Sequence, residues 1–292
     1  MTHLPLVRTA FGLALAASVP CQTFVVDAAG GPGSSFTDLA AAVAAAPDGA
    51  VLLVRAGQYG SFSIQARSLT ILCDAGAAFG NAAGASVTIR DLAANQRVYV
   101  RGLAASHGGL GFPETCECFD CVGAIVLDSL RESPSESLTI DATSCAQVQL
   151  IDCSVRGTQS PYALRTADSD VVVVDCEFAP RGPGFGAAIE RLSGRLQVAN
   201  STILGAVVSF GVGGDALRMQ GGAVRLDGTT TLTGGSGPSP AARGHAISGA
   251  GAVRLAPSVT LAGKLPLIPS TVTATTEDLA SLHVEGAGLG GL

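Results

Sequence analysis

A short pattern occurs three times in the middle of the chain, and its spacing restricts the fold more than any other feature. Residues 148–155, 171–178 and 196–203 each contain an alternating apolar run, then Asp or Asn, then Cys or Ser, any residue, and a large apolar residue. Asp152, Asp175 and Asn200 are therefore 23 and 25 residues apart. This period suits a rung of short strands and turns, so it predicts a solenoid.

The repeat continues beyond these three copies with longer loops. Each later rung opens on Ala followed by Leu or Ile, and an alternating apolar pair follows several residues later. These openings are Ala163-Leu164, Ala188-Ile189, Ala216-Leu217 and Ala246-Ile247. The pattern predicts an all-β fold, a parallel β-helix (solenoid) of about nine rungs stacked at ~4.8 Å.

The composition supports a solenoid core and excludes one class of partner. Hydrophobic residues make up 47% of the chain and charged residues 14%, and the chain contains no Trp. The apolar residues are mostly Ala, Val and Leu, whose small side chains fit the narrow interior of a solenoid. The net charge is −6 and no basic run occurs, so we expect no nucleic-acid partner.

The N-terminus has the layout of a secretory signal peptide. Arg8 precedes an apolar run at residues 10–17, which is long enough for a signal peptide and too short for a membrane span. We predict that residues 1–21 are a signal peptide and that the protein is secreted to the extracellular space, the periplasm or the cell surface. No later segment is long and apolar enough to cross a bilayer, so we expect no membrane span in the mature chain.

The mature chain divides into three predicted parts. Residues 22–50 contain a short strand and an Ala-rich capping helix at 38–46, with Thr37 as its N-cap, which covers the first open rung. Residues 51–263 form the parallel β-helix, which a long loop at residues 104–122 interrupts. Residues 264–292 leave the repeat and form a C-terminal cap or tail.

Residues 36–73 resemble the first rung of right-handed parallel β-helix proteins of the pectin-lyase-like superfamily. In these proteins a short Ala-rich helix precedes Pro-Asp-Gly, a buried strand and an Arg-x-Gly-x-Tyr turn. The same order occurs here at residues 47–49, 51–54 and 55–59. The layout also resembles uncharacterised secreted β-helix proteins of environmental bacteria. The resemblance implies a right-handed parallel β-helix that continues to about Gly263.

The resemblance leaves the function open, because the superfamily includes pectate lyases, polygalacturonases and non-enzymatic surface proteins. Polygalacturonase-like members carry Asn-Thr-Asp, paired Asp, Gly-His-Gly and Arg-Ile-Lys motifs, and none of these occurs here. Pectate-lyase-like members use an Asp cluster for calcium and a basic proton acceptor, and no matching set can be carried over to this sequence.

Asp152 and Asp175 occupy one position of neighbouring rungs, and two interpretations follow. Two carboxylates about 5 Å apart suit calcium binding or retaining glycoside hydrolysis, if they face a cleft. Alternatively, they are turn formers whose oxygens accept backbone N–H groups at a corner. Asn200 replaces the carboxylate in the third copy, which favours the corner interpretation.

Several charged residues lie in or near the loops of the same rungs. They are Arg156, Arg165, Asp168, Asp170, Arg181, Glu190 and Arg191. Solvated ion pairs on a solenoid face explain them without any site. If the protein is an enzyme, its candidate catalytic residues are Asp152, Asp175, Asp168 and Arg165. Asp168 and Asp170 are the candidate calcium ligands.

The cysteines suggest both free thiols and a disulfide. Cys153 and Cys176 are expected to stack inward as thiols, because in-register side chains run parallel and lie outside disulfide geometry. Cys116, Cys118 and Cys121 fall in the predicted loop and fit no zinc spacing. Secretion favours disulfides, so a local Cys116–Cys121 bridge is a candidate.

The sequence favours a non-catalytic protein that acts in adhesion, in envelope structure, or in contact with polysaccharide or cell-envelope components. The competing hypothesis is a polysaccharide lyase or glycoside hydrolase that acts on an acidic polysaccharide. A third hypothesis is a fragment shed from a larger surface array. No cofactor is expected other than calcium at Asp168 and Asp170.

Overall fold

The computed structural model describes residues 22–80, 85–106, 114–132, 138–156, 161–180, 186–264, 272–275 and 283–285. The predicted signal peptide lies outside these residues. Within them the chain forms short parallel strands, one α-helix and one 3-10 helix. No helix in the described ranges is long and apolar enough to cross a membrane.

The helices lie near the two ends of the described chain: α1 (Leu39–Ala45) and the 3-10 helix (Pro240–Ala242). The first strands are β1 (Thr23–Val26), β2 (Ala50–Val54), β3 (Gly57–Tyr59), β4 (Phe62–Gln65), β5 (Leu69–Cys73), β6 (Ala77–Phe79), β7 (Ser86–Arg90), β8 (Arg97–Arg101), β9 (Ala104–Ala105), β10 (Glu114–Asp128), β11 (Arg131–Glu132) and β12 (Leu138–Ile151). The remaining strands are β13 (Ser154–Val155), β14 (Leu164–Ala167), β15 (Ser169–Val174), β16 (Glu177–Phe178), β17 (Ile189–Arg191), β18 (Gly194–Ala199), β19 (Thr202–Leu204), β20 (Leu217–Asp227), β21 (Thr231–Thr233), β22 (Ile247–Leu255), β23 (Thr260–Ala262), β24 (Val272–Thr275) and β25 (His283–Glu285).

Each turn of the chain passes through three columns of parallel strands. The first column contains β4, β7, β14, β17 and the N-terminal parts of β10, β12, β20 and β22. The second contains β1, β2, β5, β8, β15, β18, β24 and the C-terminal parts of the same four long strands. The third contains β3, β6, β9, β11, β13, β16, β19, β21, β23 and β25. This is a parallel β-helix of about nine turns, which confirms the fold predicted from the repeat.

Two corners join the columns, and both are built from residues in the left-handed backbone conformation. The first corner, between the first and second columns, contains Ala66, Asp91, Asp120, Ser144 and Asp168, with φ of 50°, 59°, 55°, 55° and 47°. The second corner, between the second and third columns, contains Ser129, Asp152, Asp175 and Asn200, with φ of 54°, 49°, 55° and 50°. Six of these nine residues are Asp or Asn, which tolerate this conformation better than other non-glycine residues and so favour the sharp bend.

The core is a stack of inward side chains that meet their counterparts in the next rung. Down the second column, Ile71, Val100, Leu127 and Leu150 follow one another in register, and each is at most 2% exposed. Burial of each such side chain stabilises the fold by about 1.5–3 kcal/mol. The core is therefore continuous along the solenoid axis.

The N-terminal helix covers the first rung, as predicted, but its N-cap is Asp38 and not Thr37. The Asp38 carboxylate accepts a hydrogen bond from the Ala41 N–H at 3.0 Å. An ionised oxygen at the N-cap also interacts favourably with the helix dipole, which a Thr hydroxyl does not. At the other end, Arg67 donates to the Ala46 carbonyl at 2.7 Å and so ties the helix to the rung below.

The long loop predicted at residues 104–122 is wrong from Glu114 onward, because β10 begins there. Cys116 and Cys118 alternate with the outward Glu117 and Phe119, and this alternation is that of a strand. At the other end, β24 pairs with β22 and β25 with β23, so two columns continue beyond Gly263, where the sequence predicted a cap or tail.

One inward position of the first column is occupied by a charged residue. Arg191 is 0% exposed and lies in register between Thr166 and Met219. Its Nη2 donates to the Gly194 carbonyl, while Nε and Nη1 have no hydrogen-bond partner among the described residues. Gly222 lies against the guanidinium, where a Cβ would come within 1.8 Å of Nη2. Burial lowers the pKa of Arg191, because the low-dielectric core disfavours its charge.

Replacement of Arg191 by Met, the residue at the same position of the next rung, should therefore stabilise the fold. Removal of an incompletely paired buried charge is expected to raise the free energy of unfolding by about 1–3 kcal/mol. Thermal unfolding of Arg191→Met and wild type measures the effect. The control is Arg195→Met at an exposed arginine, which should give no gain. A lower melting temperature for Arg191→Met than for wild type would contradict the prediction.

Candidate functional site

The candidate carboxylates Asp152 and Asp175 lie at the second corner, directly after the second-column strands. Asp152 pairs with Arg131 at 2.6 Å and accepts a hydrogen bond from the Ser129 hydroxyl at 3.1 Å. The Arg131 guanidinium holds the pKa of Asp152 below its usual range. Asn200 at the same corner accepts from the Thr229 N–H at 3.2 Å. The left-handed backbone places all three residues at a corner, and the predicted acceptance of a backbone N–H is seen for Asn200, whereas the contacts of the Asp152 carboxylate are with side chains.

The structure separates the other candidates from this corner. Asp168 is a first-corner residue, and the six residues of β15 lie between it and Asp175. Six strand residues place the two carboxylates roughly 20 Å apart, on different edges of the solenoid. Arg165 lies on β14, in the first column. The four candidate catalytic residues therefore do not converge on one cleft, and their catalytic role stays a prediction.

Arg165 belongs to a line of outward charged residues in the first column. Its guanidinium lies 3.5 Å from the Asp141 carboxylate and 5.7 Å from the Tyr162 ring centroid. The negative charge of Asp141 raises the pKa of Arg165, so this arginine is a poor proton acceptor. In register, the line reads Glu117, Asp141, Arg165, Glu190, Arg218 and Ser248.

The same line contains a pair of carboxylates on adjacent strands. Glu117 and Asp141 face each other on adjacent strands, so their Cα atoms lie about 4.8 Å apart, and both side chains are half-buried. The sequence predicts such a pair at Asp152 and Asp175, which stack at the second corner. It does not predict the pair at Glu117 and Asp141, because it places a loop where β10 begins.

The predicted calcium ligands Asp168 and Asp170 face different surroundings. Asp170 receives a two-pronged contact from Arg195, with Nε 2.9 Å from one carboxylate oxygen and Nη2 on the other. This contact lowers the pKa of Asp170 and neutralises its charge. Within the described residues, no group of three His, Cys, Asp or Glu side chains is placed to hold a metal ion. Calcium binding here stays a prediction.

The remaining charged candidates divide among surface, core and undescribed positions. Arg156 lies 3.6 Å from Glu177 on the surface, as solvated pairs do. Arg191 was expected on the surface and is buried instead. Arg181 lies outside the described residues.

The cysteines contradict the predicted disulfide. Cys116 and Cys121 are free, buried thiols, as are the other described cysteines except the half-buried Cys73. Cys116 is an inward strand residue and Cys121 follows the first corner, so their side chains do not meet. The predicted inward stack of Cys153 and Cys176 is confirmed.

The stacked thiols also contribute hydrogen bonds at the second corner. The Cys153 N–H donates to the Cys176 sulfur at 3.3 Å, and the Cys176 N–H donates to the Ser201 hydroxyl at 3.0 Å. Contact with the Cys176 thiol, together with burial, raises the pKa of Cys153. The Cys176 thiol thus satisfies a backbone N–H where the chain bends.

Asp215 is surrounded by a cluster of polar side chains. This cluster is not predicted from the sequence. Asp215 is buried, and one of its oxygens accepts from the His245 N–H and contacts His245 Nδ1, both at 3.0 Å. The other oxygen accepts from the Ser248 hydroxyl at 2.6 Å and from Arg218 Nη2 at 3.1 Å. Burial opposes ionisation of Asp215, but these hydrogen bonds outweigh it and hold its pKa below the usual value.

The cluster orients His245 in one tautomer. Because an ionised carboxylate can only accept a hydrogen bond, His245 Nδ1 carries a proton and donates it to Asp215. Nε2 is buried and has no hydrogen-bond partner among the described residues. The sequence contained a signal for this cluster: Asp215 and His245 directly precede the rung openings Ala216-Leu217 and Ala246-Ile247, so they occupy the same position of successive rungs.

An open groove of about 580 Å³ lies on the outer face of the second column, across β15, β18, β20 and β22. We call it the arginine groove, because Arg195, Arg225 and Arg254 line it. Gln197, Asp170 and the small apolar residues Val172, Ala223 and Ala252 also line it, together with Val171, Leu196 and Val224.

The charges of the arginine groove are only partly balanced. Arg195 pairs with Asp170, and Arg225 lies 2.7 Å from Asp227. Arg254 is exposed and forms no ion pair with any described residue, although it stacks in register on Arg225. The groove therefore carries one uncompensated positive charge in a chain whose net charge is −6.

Comparison with known proteins adds little to this description. No protein-family model matches the chain, and no curated protein matches it. Among solved structures, the chain is similar to a mutant of pectin methylesterase in complex with hexasaccharide IV. The identity is 14% and the TM-score 0.34, over 91% of this chain and 90% of that chain. The parallel β-helix is established here by the strand pairings themselves.

Replacement of Asp215 by Asn should reduce stability at neutral pH and remove part of its pH dependence. A carboxyl whose pKa is depressed in the folded state stabilises the fold above its unfolded pKa, near 3.8, and loses this contribution as the pH falls through the folded pKa. The difference in melting temperature between wild type and Asp215→Asn should therefore shrink as the pH falls from about 5 to about 2.5. The control is Asp74→Asn at an exposed residue. A difference that stays constant over this range would contradict the prediction.

Proposed function

We propose that the protein is a secreted or cell-surface β-helix that binds an acidic polysaccharide in the arginine groove, without catalysis. The observation that carries the proposal is the pair Arg225 and Arg254, two arginines in register on adjacent strands of an open groove. Secretion rests on the predicted signal peptide at residues 1–21.

The arginine pair favours an anionic ligand on energetic grounds. Like charges directly opposite each other on neighbouring strands are destabilising, and Asp227 offsets only the charge of Arg225. A carboxylate or sulfate group between the two guanidinium groups would relieve this repulsion and accept hydrogen bonds from both. Gln197 is next in the same line, and its Nε2 donates one N–H to Asp227 at 3.2 Å, so its second N–H can serve as a donor to the ligand.

The shape of the groove suits a chain-like ligand. It is open to solvent and extends across four successive strands of one column. Val172, Ala223 and Ala252 form a shallow apolar floor, against which the apolar face of a sugar ring can pack, while the arginines contact its charged substituents. A ligand that follows the column meets equivalent positions every ~4.8 Å. No metal ion is needed for this mode of binding, and a calcium ion at Asp168 and Asp170 is a separate proposal.

Replacement of Arg254 by Ala should weaken binding of polygalacturonate by about three- to tenfold, since one charge-assisted contact at an exposed site is lost. Binding of wild type and variant to immobilised polygalacturonate, measured at several salt concentrations, tests this. The affinity of the wild type should also fall as salt screens the arginines.

The matched control is Arg97→Ala, which removes an exposed arginine from the same column outside the groove. This variant should bind like the wild type. Equal affinity of Arg254→Ala and wild type, or equal binding of polygalacturonate and neutral dextran by the wild type, would contradict the proposal.

A second function, hydrolysis or lyase cleavage of an acidic polysaccharide, is favoured by Glu117 and Asp141. They lie in register on adjacent strands, as a pair of catalytic carboxylates would need to, and Arg165 beside them can contact a charged substrate. Asp152 and Asp175 are weaker candidates, because their backbone conformation and contacts are those of corner residues.

If the protein cleaves polysaccharides, Asp141→Asn should lower the rate by at least about 100-fold, because one of two catalytic carboxylates is lost. The assay is release of reducing ends and of unsaturated products from a panel of uronic-acid and neutral polysaccharides. Asp175→Asn is the control and should retain activity, since Asn occupies the same corner position at Asn200. A wild-type protein that cleaves no member of the panel contradicts this second function.

A further inference from the structure

Apolar side chains are exposed on the loop between β19 and β20, which joins the third column to the first. We call residues 205–214 the apolar loop. Phe210 is 88% exposed, Val207 65% and Val212 45%. Large apolar side chains grouped at one exposed site mark a surface that contacts another apolar surface.

The apolar loop is held in place by the next loop of the solenoid, residues 234–244. The Val208 N–H donates to the Ser236 carbonyl at 2.9 Å, and the Gly213 N–H donates to the Ala242 carbonyl at 2.7 Å. Ala206 and Val208, within the loop, are buried. Gly235 permits this close approach, since a Cβ there would lie 1.9 Å from the Ala206 carbonyl oxygen. The exposed side chains are thus presented by an anchored backbone.

The charges beside the apolar loop are positive. The loop itself contains no charged residue. Exposed Arg243 follows Ala242, the acceptor of the Gly213 hydrogen bond, and exposed Lys264 donates its N–H to the Gly244 carbonyl at 3.0 Å. Asp215, the acidic residue next to the loop, is buried and paired with Arg218 and His245. The exposed surface there combines an apolar tip with two basic side chains.

This combination fits an anionic lipid surface better than a protein or a sugar. A stable dimer buries about 800 Å² on each partner, far more than three side chains at one loop tip can supply. A sugar site needs donors and acceptors around its aromatic ring, and the exposed side chains here are Val and Phe with Ser209 alone between them. A bilayer interface accepts apolar side chains without shape matching, and its anionic headgroups attract Arg and Lys.

We propose that the apolar loop docks the protein on the surface of an anionic bilayer. Phe210, Val207 and Val212 enter the interfacial region, and Arg243 and Lys264 contact the headgroups. This docking is independent of the arginine groove, because the groove lies on the second column and the loop lies between the third and first columns.

The test is flotation of the mature chain, from residue 22 onward, with vesicles of phosphatidylglycerol and phosphatidylcholine, compared with vesicles of phosphatidylcholine alone, at about 0.1 M salt. The wild type should float with the anionic vesicles and much less with the neutral ones. Phe210→Ser should lower the partition coefficient by about fivefold or more. Arg243→Gln should lower it by about threefold to fivefold, and added salt should reduce this difference.

The control is Val122→Ser, at another exposed apolar residue (64% exposed) beside the first corner, and it should float like the wild type. Because Phe210 is almost fully exposed, its variant should keep the wild-type melting temperature, which thermal unfolding checks. Three results would overturn the proposal: no flotation of the wild type, equal flotation of Phe210→Ser, or no preference for anionic vesicles. A Phe210-dependent dimer in sedimentation, or Phe210-dependent retention on polygalacturonate, without vesicle binding would also overturn it.

Discussion

The register between successive rungs is the constraint on which the rest of the structure depends. Every strand is parallel to its neighbour, so each side chain meets the residue at the same position of the previous rung. A shift by one residue would exchange the inward and outward faces of a whole strand. The corners prevent this shift, because Asp152 and Asp175 adopt the same left-handed conformation and are followed by inward cysteines that hydrogen bond from rung to rung.

The same constraint makes the outer surface a set of ladders rather than a set of isolated residues. Where successive rungs carry opposite charges, as at Asp141 and Arg165, the two side chains form an ion pair. Where they carry like charges, as at Arg225 and Arg254, the side chains repel each other, and an anionic ligand can relieve this repulsion. Stacked side chains of like charge can thus indicate a binding site on a solenoid, even where the surface forms an open groove and not an enclosed pocket.

The sequence predicted those parts of the fold in which residue type and position repeat together. The second corner repeats Asp, Asp and Asn, and it was recognised. The residues at the first corner include Ala66, Asp120 and Ser144, so the residue type at this bend is not constant. Without a repeated residue type to mark the bend inside β10, the sequence predicts a loop there. The burial of Arg191 could not be predicted from the sequence. Inward positions are inferred from apolar residues, and an arginine is almost never fully buried.

The candidate sites were harder to predict because they join residues of different rungs. Asp215 and His245 are 30 residues apart, and only the common rung opening places them side by side. The triangular cross-section then decides which surfaces can act together. The arginine groove occupies the second column, and the apolar loop lies at the opposite vertex, between the third and first columns. A polysaccharide chain in the groove and a bilayer at the loop therefore do not compete for the same surface, and one solenoid can contact both.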